Sequence, residues 1–285
     1  MGLNADNSIK GEYVLATGTA AANRLRLLHS LYGSGARRVL LEAGIQPGMR
    51  VADIGCGVGT VSALLAELVG PTGEVVGIDF SHAQLAQARQ LLPAGVTNVH
   101  FIEASATNTG LPREQFDLIY CRFLLIHLTE PEKALGEMYD LLKPGGILVC
   151  EDGDLTSAGS EPPSAMNAFS ELFGRLGPVW GVDYTLGRRL FQMVLGANFS
   201  QAQITYNQPV MARGEPKRLL ELSVAEARSS FVGAGLISEK EIDFALAEMQ
   251  RLAKDETVLA VMPRMSQVWA RKLPPAGEKR LDRVA

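Results

Sequence analysis

A glycine-rich segment, VADIGCGVGT from Val51 to Thr60, follows an apolar run and combines three glycines with a carboxylate. Glycines between a strand and a helix let the backbone approach a ligand closely. A dinucleotide site needs G-x-G-x-x-G, whose third glycine permits close packing of helix and strand near a pyrophosphate. Here the spacing is G-x-G-x-G, and Thr60 takes the place of that third glycine. The loop therefore indicates a nucleotide-like ligand other than a dinucleotide.

Two carboxylates narrow the choice of ligand. Asp53 lies at the end of the strand before the loop, where it would repel a pyrophosphate but suits an amino group. Asp79 ends the next predicted strand, where it can accept hydrogen bonds from both hydroxyls of a ribose. Each hydrogen bond to a charged acceptor contributes about 1.5–3 kcal/mol. A ribose and an amino group without a pyrophosphate describe S-adenosylmethionine better than NAD.

The elements that position these residues alternate between strand and helix from about residue 37 to residue 152. Apolar strand patterns occur in RVADIG, GEVVGIDF, NVHFIEAS, FDLIYC and GILVCED, and helical patterns in VSALLAELVG, HAQLAQARQLL and PEKALGEMYDLL. Such alternation predicts an α/β fold with a doubly wound parallel sheet. Ligands bind beyond the C-terminal ends of the strands in such a sheet. We therefore expect the glycine loop and Asp79 to face one crevice.

The regions on either side of this core complete the predicted domain plan. Residues 19–43 have helical spacing interrupted by Gly33 and Gly35, which predicts two helices. We expect a helical cap over 1–36, a cofactor-binding core over 37–152 and a flexible tail over 274–285. Residues 153–273 would complete a Rossmann-like, seven-stranded, mostly parallel sheet with two late strands. Helical lid insertions are expected at about 153–185 and 214–255.

Composition excludes several classes of partner. The 285 residues carry a net charge of -4, so they lack the basic balance typical of nucleic-acid binding. Cys56, Cys121 and Cys150 are too scattered for a disulfide framework or a metal site, which predicts a reduced, cytoplasmic protein without a metal. No stretch reaches the ~18 apolar residues of a membrane span. The expected partner is a small molecule, and the expected state is a monomer or homodimer.

Four segments in order, VADIGCGVGT, VVGIDFS, FDLIYCRFLLIHL and LLKPGGILV, resemble the class I S-adenosylmethionine-dependent methyltransferases. The resemblance is to the small-molecule branch that includes ubiquinone and menaquinone biosynthesis enzymes, and it covers about residues 37–152. It implies S-adenosylmethionine as cofactor and S-adenosylhomocysteine as product. The cofactor-binding positions that it implies are Tyr13, Asp53, Gly55, Cys56, Gly57, Gly59, Asp79, Phe80, Ser105, Ala106, Cys121 and Arg122.

The resemblance also implies a role for each of these positions. The three glycines would pass the methionine part of the cofactor, Asp53 would support its amino group or the loop, and Asp79 would hold the ribose. The adenine would lie against Phe80. Related enzymes often read E-A-D-A after the third strand, whereas this chain reads EASA, so Ser105 replaces the acid that accepts from the adenine. Backbone at Cys121 and Arg122 would border the methyl group, and Tyr13 would cover the sulfonium.

Catalysis leaves more alternatives open. A sulfonium methyl group is already activated, so an in-line displacement mainly needs positioning, which can supply ~7–11 kcal/mol. A general base is then optional. His127 is a candidate base, or it holds the helix after the fourth strand. Asp152 is a candidate base at the crevice rim, or one of a loop of solvated acids.

The methyl acceptor is the least determined part. Apolar side chains of the predicted lid suit a hydrophobic or aromatic metabolite, although they could instead form only the core of the lid. Candidate substrate contacts are Phe123, Trp180, Tyr184 and Arg213. The expected function is methyl transfer to an O, N or C atom of such a metabolite. The alternatives are a non-catalytic sensor that binds S-adenosylmethionine and an NAD-dependent oxidoreductase.

Overall fold

The computed structural model describes residues 19–273, with side chains from residue 23 onward. Tyr13 and the tail from 274 to 285 lie outside the described residues. The strands are β1 (Arg50–Ile54), β2 (Glu74–Asp79), β3 (Val99–Glu103), β4 (Phe116–Arg122), β5 (Leu142–Asp154), β6 (Gly159–Glu161), β7 (Ser200–Asn207), β8 (Val210–Met211), β9 (Leu259–Val261) and β10 (Arg264–Arg271). The helices are α1 (Thr19–Ala43), α2 (Thr60–Val69), α3 (His82–Leu91), α4 (Pro131–Leu141), α5 (Ala168–Trp180), α6 (Leu190–Gly196), α7 (Leu219–Glu226), α8 (Arg228–Gly233) and α9 (Glu239–Leu252).

A seven-stranded sheet with the order β3-β2-β1-β4-β5-β10-β7 forms the centre of the molecule. Strands β1 to β5 pair in parallel, and β10 is antiparallel to both β5 and β7. The prediction of a mostly parallel, doubly wound sheet completed by two late strands is confirmed. Strand order reverses between β1 and β4, so the crevice predicted for a ligand opens above these two strands.

The parallel strands are apolar because helices cover both faces of the sheet. Every residue of β1 after Arg50 is buried, and so is every residue of β2 after Glu74. Local signals bound the helices that follow these strands. Helix α2 ends at Gly70, which has a positive φ of 65°, and Ser81 caps α3 by accepting a hydrogen bond from the amide of Gln84. These boundaries leave the loops after β1 and β2 at the same edge of the sheet.

The predicted break at Gly33 and Gly35 is wrong, because α1 is one continuous helix of 25 residues. Glycine inside a helix costs about 1 kcal/mol relative to alanine, and here the tertiary packing outweighs that cost. A Cβ on Gly35 would lie 2.2 Å from the side chain of Asn207 in β7. The missing side chain therefore lets α1 approach the sheet edge closely, and the glycine serves packing rather than a turn.

Helices before and between the last strands form a layer over one end of the sheet. Helix α5 falls in the first predicted insertion, and α7, α8 and α9 fall in the second. A second sheet of three antiparallel strands, β6-β9-β8, was not predicted, because each of these strands has only two or three residues. Between residues 19 and 273 no helix is long and apolar enough to cross a bilayer.

Candidate functional site

One cavity of about 1400 Å³ opens above the C-terminal ends of β1, β2 and β4 and continues beneath the helical layer. We divide its lining into two parts. The loop half comprises Asp53, Gly55, Cys56, Gly57, Val58, Asp79, Phe80, Gln84, Ser105 and Ala106. The helical half comprises Phe169, Phe173, Val179, Trp180, Tyr184, Leu219, Leu220, Ser223, Ser230 and Ala234. Arg122, Phe123, Leu124 and His127, which follow β4 or end it, line the space between the two halves.

The glycine loop requires glycine at each of its three positions. Gly55, Gly57 and Gly59 all have positive φ, between 55° and 74°, which other residues adopt only with strain. Gly55 and Gly57 line the cavity, whereas a Cβ on Gly59 would lie 2.8 Å from the ring of Phe101. Gly59 therefore allows α2 to pack against β3, and the first two glycines form the cavity wall.

Asp79 joins the glycine loop to the end of β2. Its Oδ2 accepts a hydrogen bond from the amide of Gly57 at 2.9 Å, and its Oδ1 accepts one from the amide of Ser81 at 2.9 Å. Burial raises the pKa of this carboxyl, and the backbone amides oppose that shift. Each oxygen of a carboxylate can accept more than one hydrogen bond. Asp79 therefore retains acceptor capacity that it can direct into the cavity.

Asp53 is the second buried carboxyl of the loop half. Its Oδ2 accepts a hydrogen bond of 2.6 Å from the hydroxyl of Ser62 in α2. Burial raises the pKa of Asp53 to about 6, although Ser62 and the charge of Arg122 oppose the shift. The carboxyl is thus mostly ionised at neutral pH in a nearly dry environment. A cationic group in the cavity would stabilise this charge.

Arg122 is a cation at the end of β4 without a direct partner. Its Nη1 is buried and has no hydrogen-bond partner, and within residues 19–273 its guanidinium forms no ion pair within 4 Å. A buried donor left unsatisfied costs about 1–3 kcal/mol, and more if the group is charged. An anionic or carbonyl acceptor in the cavity would satisfy this donor and remove that cost.

Three further predicted cofactor contacts lie at the rim of the loop half. Phe80 lines the cavity with more than half of its surface exposed, as expected for a side chain that flanks a planar ligand. Ser105 and Ala106 follow β3 and line the cavity beside it. The hydroxyl of Ser105 contacts that of Thr107 at 3.0 Å. The predicted contacts after β2 and β3 are therefore together at one rim.

The helical half is built around an aromatic cluster. The ring of Phe173 packs against those of Phe169, Tyr184 and Phe231, with centroids 4.7–5.3 Å apart. Phe169, Phe173 and Tyr184 line the cavity, whereas Phe231 is fully buried behind them. Trp180 lies at the end of α5 and also lines the cavity. The lid residues thus form both a core and a cavity wall.

Comparison with known proteins identifies the family. A family model described as a methyltransferase domain matches residues 45–185. The chain is 36% identical over 183 residues to the ubiquinone/menaquinone biosynthesis C-methyltransferase of Pseudomonas fluorescens, a match that covers 61% of this chain and 72% of that enzyme. It is 29% identical over 185 residues to the demethylmenaquinone methyltransferase of Staphylococcus aureus, covering 65% and 71% of the two chains.

The chain belongs to the class I S-adenosylmethionine-dependent methyltransferases. Its substrates are small molecules. A solved structure with the same fold is phosphoethanolamine N-methyltransferase 2 from Haemonchus contortus, in complex with phosphomonomethylethanolamine and S-adenosylhomocysteine. That structure has a TM-score of 0.53 and 17% sequence identity, and the match covers 89% of this chain and 53% of that one.

The loop half of the methyltransferase fits S-adenosylmethionine. Asp79 offers carboxylate acceptors suited to a ribose diol, Asp53 offers a negative charge suited to an ammonium, and the buried donor of Arg122 suits a carboxylate. These are the hydrogen-bonding parts of the cofactor other than its base. The chemistry of the side chains therefore matches the cofactor of the family.

His127 occupies the boundary between the two halves. It lies in a short 3₁₀ turn, Leu125–His127, and its ring packs edge-on against Tyr184 with centroids 5.7 Å apart. Burial, and after it the charge of Arg24, lowers the pKa of His127 to about 3. The imidazole is therefore neutral at physiological pH. Arg24 itself is held by Glu226 at 2.7 Å, and both side chains are nearly fully buried.

Two predicted residues lie away from the cavity. Asp152 does not line it, because its carboxyl accepts hydrogen bonds from the amides of Leu125, Ile126 and Gly153. Asp152 thus holds the turn that carries His127, and the prediction of a base at the rim is wrong. Arg213 is also misplaced, since it is exposed on the surface next to Glu256.

Cys121, whose backbone was expected to border the methyl group, is not among the residues that line the cavity. Its side chain points into the core, where its Sγ lies 3.2 Å from the Sγ of Cys150 in β5. Sequence reasoning also missed several contributors to the cavity wall, among them Arg24, Gln84 and Leu124. No motif marks them. Leu124 is adjacent to the glycine loop, because a Cβ on Gly55 would lie 2.8 Å from it.

Proposed function

We propose that the methyltransferase places S-adenosylmethionine in the loop half and methylates an apolar, hydroxylated aromatic or enolic metabolite held in the helical half. The observation that carries this proposal is the continuity of the cavity from the buried carboxylates to the aromatic cluster. Its volume of about 1400 Å³ exceeds the ~300–1,000 Å³ of ordinary ligand pockets. A space of that size suits two ligands bound side by side.

On the donor side, each part of the cofactor would contact particular residues of the loop half. Asp79 would accept hydrogen bonds from the ribose hydroxyls, and Phe80 would flank the adenine. The amide of Ala106 and the hydroxyl of Ser105 would meet the edge of the base. Gly55 and Gly57 would leave room for the methionine chain. Their placement along one continuous wall supports this order.

On the acceptor side, the lining favours an uncharged aromatic body. The wall consists of aromatic and aliphatic side chains together with the hydroxyls of Ser223 and Ser230. The one buried ion pair of the described helical layer, between Arg24 and Glu226, already satisfies its own charges. Among the described residues that line the helical half, a charged acceptor such as a phosphorylated amine would find no unpaired counter-charge.

When bound, S-adenosylmethionine supplies an activated methyl group that is transferred by in-line displacement. The chain contributes the alignment of the acceptor, the exclusion of water by the helical layer and a route for the proton that the acceptor loses. We propose that His127 takes this proton. An oxygen or ring carbon that has gained a methyl group becomes strongly acidic, so even an imidazole of low basicity suffices. Its neutrality also avoids repulsion from a cationic donor.

The name of one relative supports a choice of methylated atom, and the cysteines support a choice of cellular compartment. The Pseudomonas fluorescens enzyme is named a C-methyltransferase, so we propose transfer to a carbon or a phenolic oxygen in preference to nitrogen. We also propose a cytoplasmic monomer or homodimer. The three cysteines are free, which supports a reducing compartment.

Methyl transfer to a matched panel of acceptors tests this function. The panel contains apolar phenols, apolar enols, aromatic amines of the same size and phosphoethanolamine, and mass spectrometry detects the added methyl group. We expect turnover of phenols or enols. Methylation of phosphoethanolamine alone would contradict the proposed acceptor class. Tight binding of S-adenosylhomocysteine without turnover of any panel member would contradict catalysis and favour a sensor.

A further inference from the structure

We infer that Arg24 is a specificity-determining residue that donates hydrogen bonds from its Nη groups to an oxygen of the methyl acceptor. Glu226 fixes the guanidinium in place, and the acceptor oxygen lies between Arg24 and His127. The inference rests on the proposed function, because it requires an oxygen-bearing aromatic or enolic acceptor in the helical half. It assigns a ligand contact to a residue that no sequence motif marks.

Arg24 lies near the beginning of α1 and forms part of the cavity wall. The residue is only 5% exposed, and Leu25 and Leu28 of the same helix line the cavity beside it. Arg24 and Leu28 are four positions apart, so they lie on the same face of the helix. Arg24 is therefore the polar group on an otherwise apolar stretch of the wall that α1 contributes.

Glu226 in α7 holds Arg24 against the helical layer. Its Oε2 accepts a hydrogen bond from Nε of Arg24 at 2.7 Å, and the two side chains are 8% and 6% exposed. Leu219 and Ser223 of α7 line the cavity, and Glu226 follows them at helical spacing on the same face. Glu226 itself does not line the cavity. The carboxylate is thus shielded from the cavity, whereas the guanidinium is not.

The hydrogen bond to Glu226 uses only one of the N–H donors of Arg24. A guanidinium has five such donors, and a bidentate pair with a carboxylate would use two of them. Here the bond runs through Nε, and within residues 23–273 neither Nη group of Arg24 donates a side-chain hydrogen bond. The pair is balanced in charge, yet its Nη donors are available to a ligand. Such a pair suits a hydroxyl or carbonyl oxygen better than a phosphate dianion.

His127 lies within electrostatic reach of the guanidinium. Burial, and after it the charge of Arg24, lowers the pKa of His127, and both residues line the cavity. An acceptor oxygen bound by Arg24 would therefore be near the proposed base. Hydrogen bonds to the ionised form of an acid favour that form. Arg24 would thus orient the acceptor and also ease the release of its proton.

Binding of two aromatic probes to the complex of the full chain with S-adenosylhomocysteine tests this role. 2-Naphthol and 2-methylnaphthalene are similar in size, but only 2-naphthol carries an oxygen, and fluorescence titration measures the affinity of each. We expect Arg24→Met to weaken 2-naphthol binding by at least ~5-fold, the equivalent of one lost hydrogen bond. Binding of 2-methylnaphthalene should change by less than about two-fold, because methionine preserves the apolar contact.

Two further variants complete the design. Arg24→Met leaves the carboxylate of Glu226 buried without a counter-charge, so the double variant Arg24→Met/Glu226→Leu removes both charges and should fold even if the single variant does not. It should show the same selective loss of 2-naphthol binding. Arg26→Met is the matched control, because Arg26 pairs with Glu215 at 3.5 Å on the exposed surface of the same helix and does not line the cavity. It should alter neither affinity.

Circular dichroism reports whether each variant is folded, and calorimetry measures its affinity for S-adenosylhomocysteine. Equal losses for the two probes, or no loss for either, would overturn the donation from Arg24 to an acceptor oxygen. A folded variant that loses affinity for S-adenosylhomocysteine would assign Arg24 to the donor and would also overturn it. A parent complex that binds neither probe would instead overturn the proposed acceptor class, and this inference with it. Failure of the inference alone is therefore distinguishable from failure of the proposed function.

Discussion

The loop half and the helical half of the cavity offer different physical means of recognising a ligand. The loop half uses backbone amides and the buried carboxyl groups of Asp53 and Asp79, and the guanidinium of Arg122 lies at its border. The helical half uses aromatic surface contributed by residues from Phe169 to Ala234. Directional, charged contacts suit an invariant donor, whereas apolar shape suits one particular acceptor. The difference supports the proposed separation of donor recognition from acceptor recognition within one continuous space.

The two halves also differ in how their charges are compensated. At the border of the loop half, the Nη1 of Arg122 has no hydrogen-bond partner among the described residues. In the helical half, Arg24 and Glu226 are paired at 2.7 Å and nearly fully buried. In a buried pair of this kind each charge compensates the other, so neither charge is free for a ligand. Unpaired charge is therefore concentrated where the charged donor is expected.

The largest effect is expected for His127, which lies at the boundary of the two halves. A substitution there should affect methyl transfer but not donor binding. His127→Gln removes the proton acceptor while keeping a polar side chain of similar reach. We expect kcat to fall by about 10²–10⁴-fold, the usual contribution of a general base. The affinity for S-adenosylmethionine, measured by calorimetry, should stay within about two-fold of the parent, because no donor-binding hydrogen bond is lost. An unchanged kcat would exclude His127 as the base.

The next largest effect tests the loop half alone. Asp79→Ala removes the acceptor of the ribose hydroxyls and also the support for Gly57. Loss of one or two charged hydrogen bonds should weaken S-adenosylhomocysteine binding by roughly 10–100-fold in calorimetry. Cys56→Ser, a change in the same wall, is the control and should have little effect. Equal affinities of Asp79→Ala and the parent would disprove the ribose site.

The pH dependence of donor binding tests the charge of Asp53. Its pKa of about 6 in the free protein should fall when an ammonium binds, because the ammonium stabilises the ionised carboxyl. Affinity for S-adenosylmethionine should therefore be highest between about pH 6 and pH 8, because above that range the α-amino group of the ligand loses its own charge. It should decrease as the pH falls below 6, by up to about ten-fold per pH unit. Asp53→Asn should remove this dependence, and a flat profile in the parent would contradict the assignment.

The smallest expected effect concerns the helical half. Trp180→Ala removes one aromatic contact with the acceptor, worth about 0.5–1.5 kcal/mol, and should raise the acceptor KM by roughly 3–10-fold. Donor affinity should not change. Phe244→Ala is the matched control, because Phe244 is exposed on α9 and does not line the cavity. A loss of donor affinity in Trp180→Ala would show that the two halves are not independent.

Sequence patterns were sufficient for the elements that carry the loop half. The loop, Asp53 and Asp79 follow from short motifs, because each lies at the end of a strand whose apolar run is evident. The helix break predicted at Gly35 was wrong because that position depends on a distant contact and not on a local pattern. That glycine is explained by its approach to Asn207, which is 172 positions away in the chain and invisible to local periodicity.

Charged residues were predicted less reliably than glycines. Asp152 and Arg213 were both plausible site residues from their places in the chain. In the structure Asp152 caps a buried turn, and Arg213 lies on the surface. A carboxylate after a strand can face a crevice or a set of backbone amides, and only the path of the next turn decides which. Arg122 was predicted only through its backbone, which was expected to border the methyl group, and the unpaired Nη1 of its side chain became evident only in the structure.

The amino-acid sequence by itself determined the fold class and the methyl donor, because strand periodicity, glycine spacing and strand-end carboxylates act over a few residues. Only the tertiary structure decided the wall of the acceptor site, the burial of Asp152 and the pairing of Arg24 with Glu226. Those features depend on strand register and on helices packed from distant parts of the chain. Burial and pairing of charge are properties of the packed molecule, and so they could be read only there.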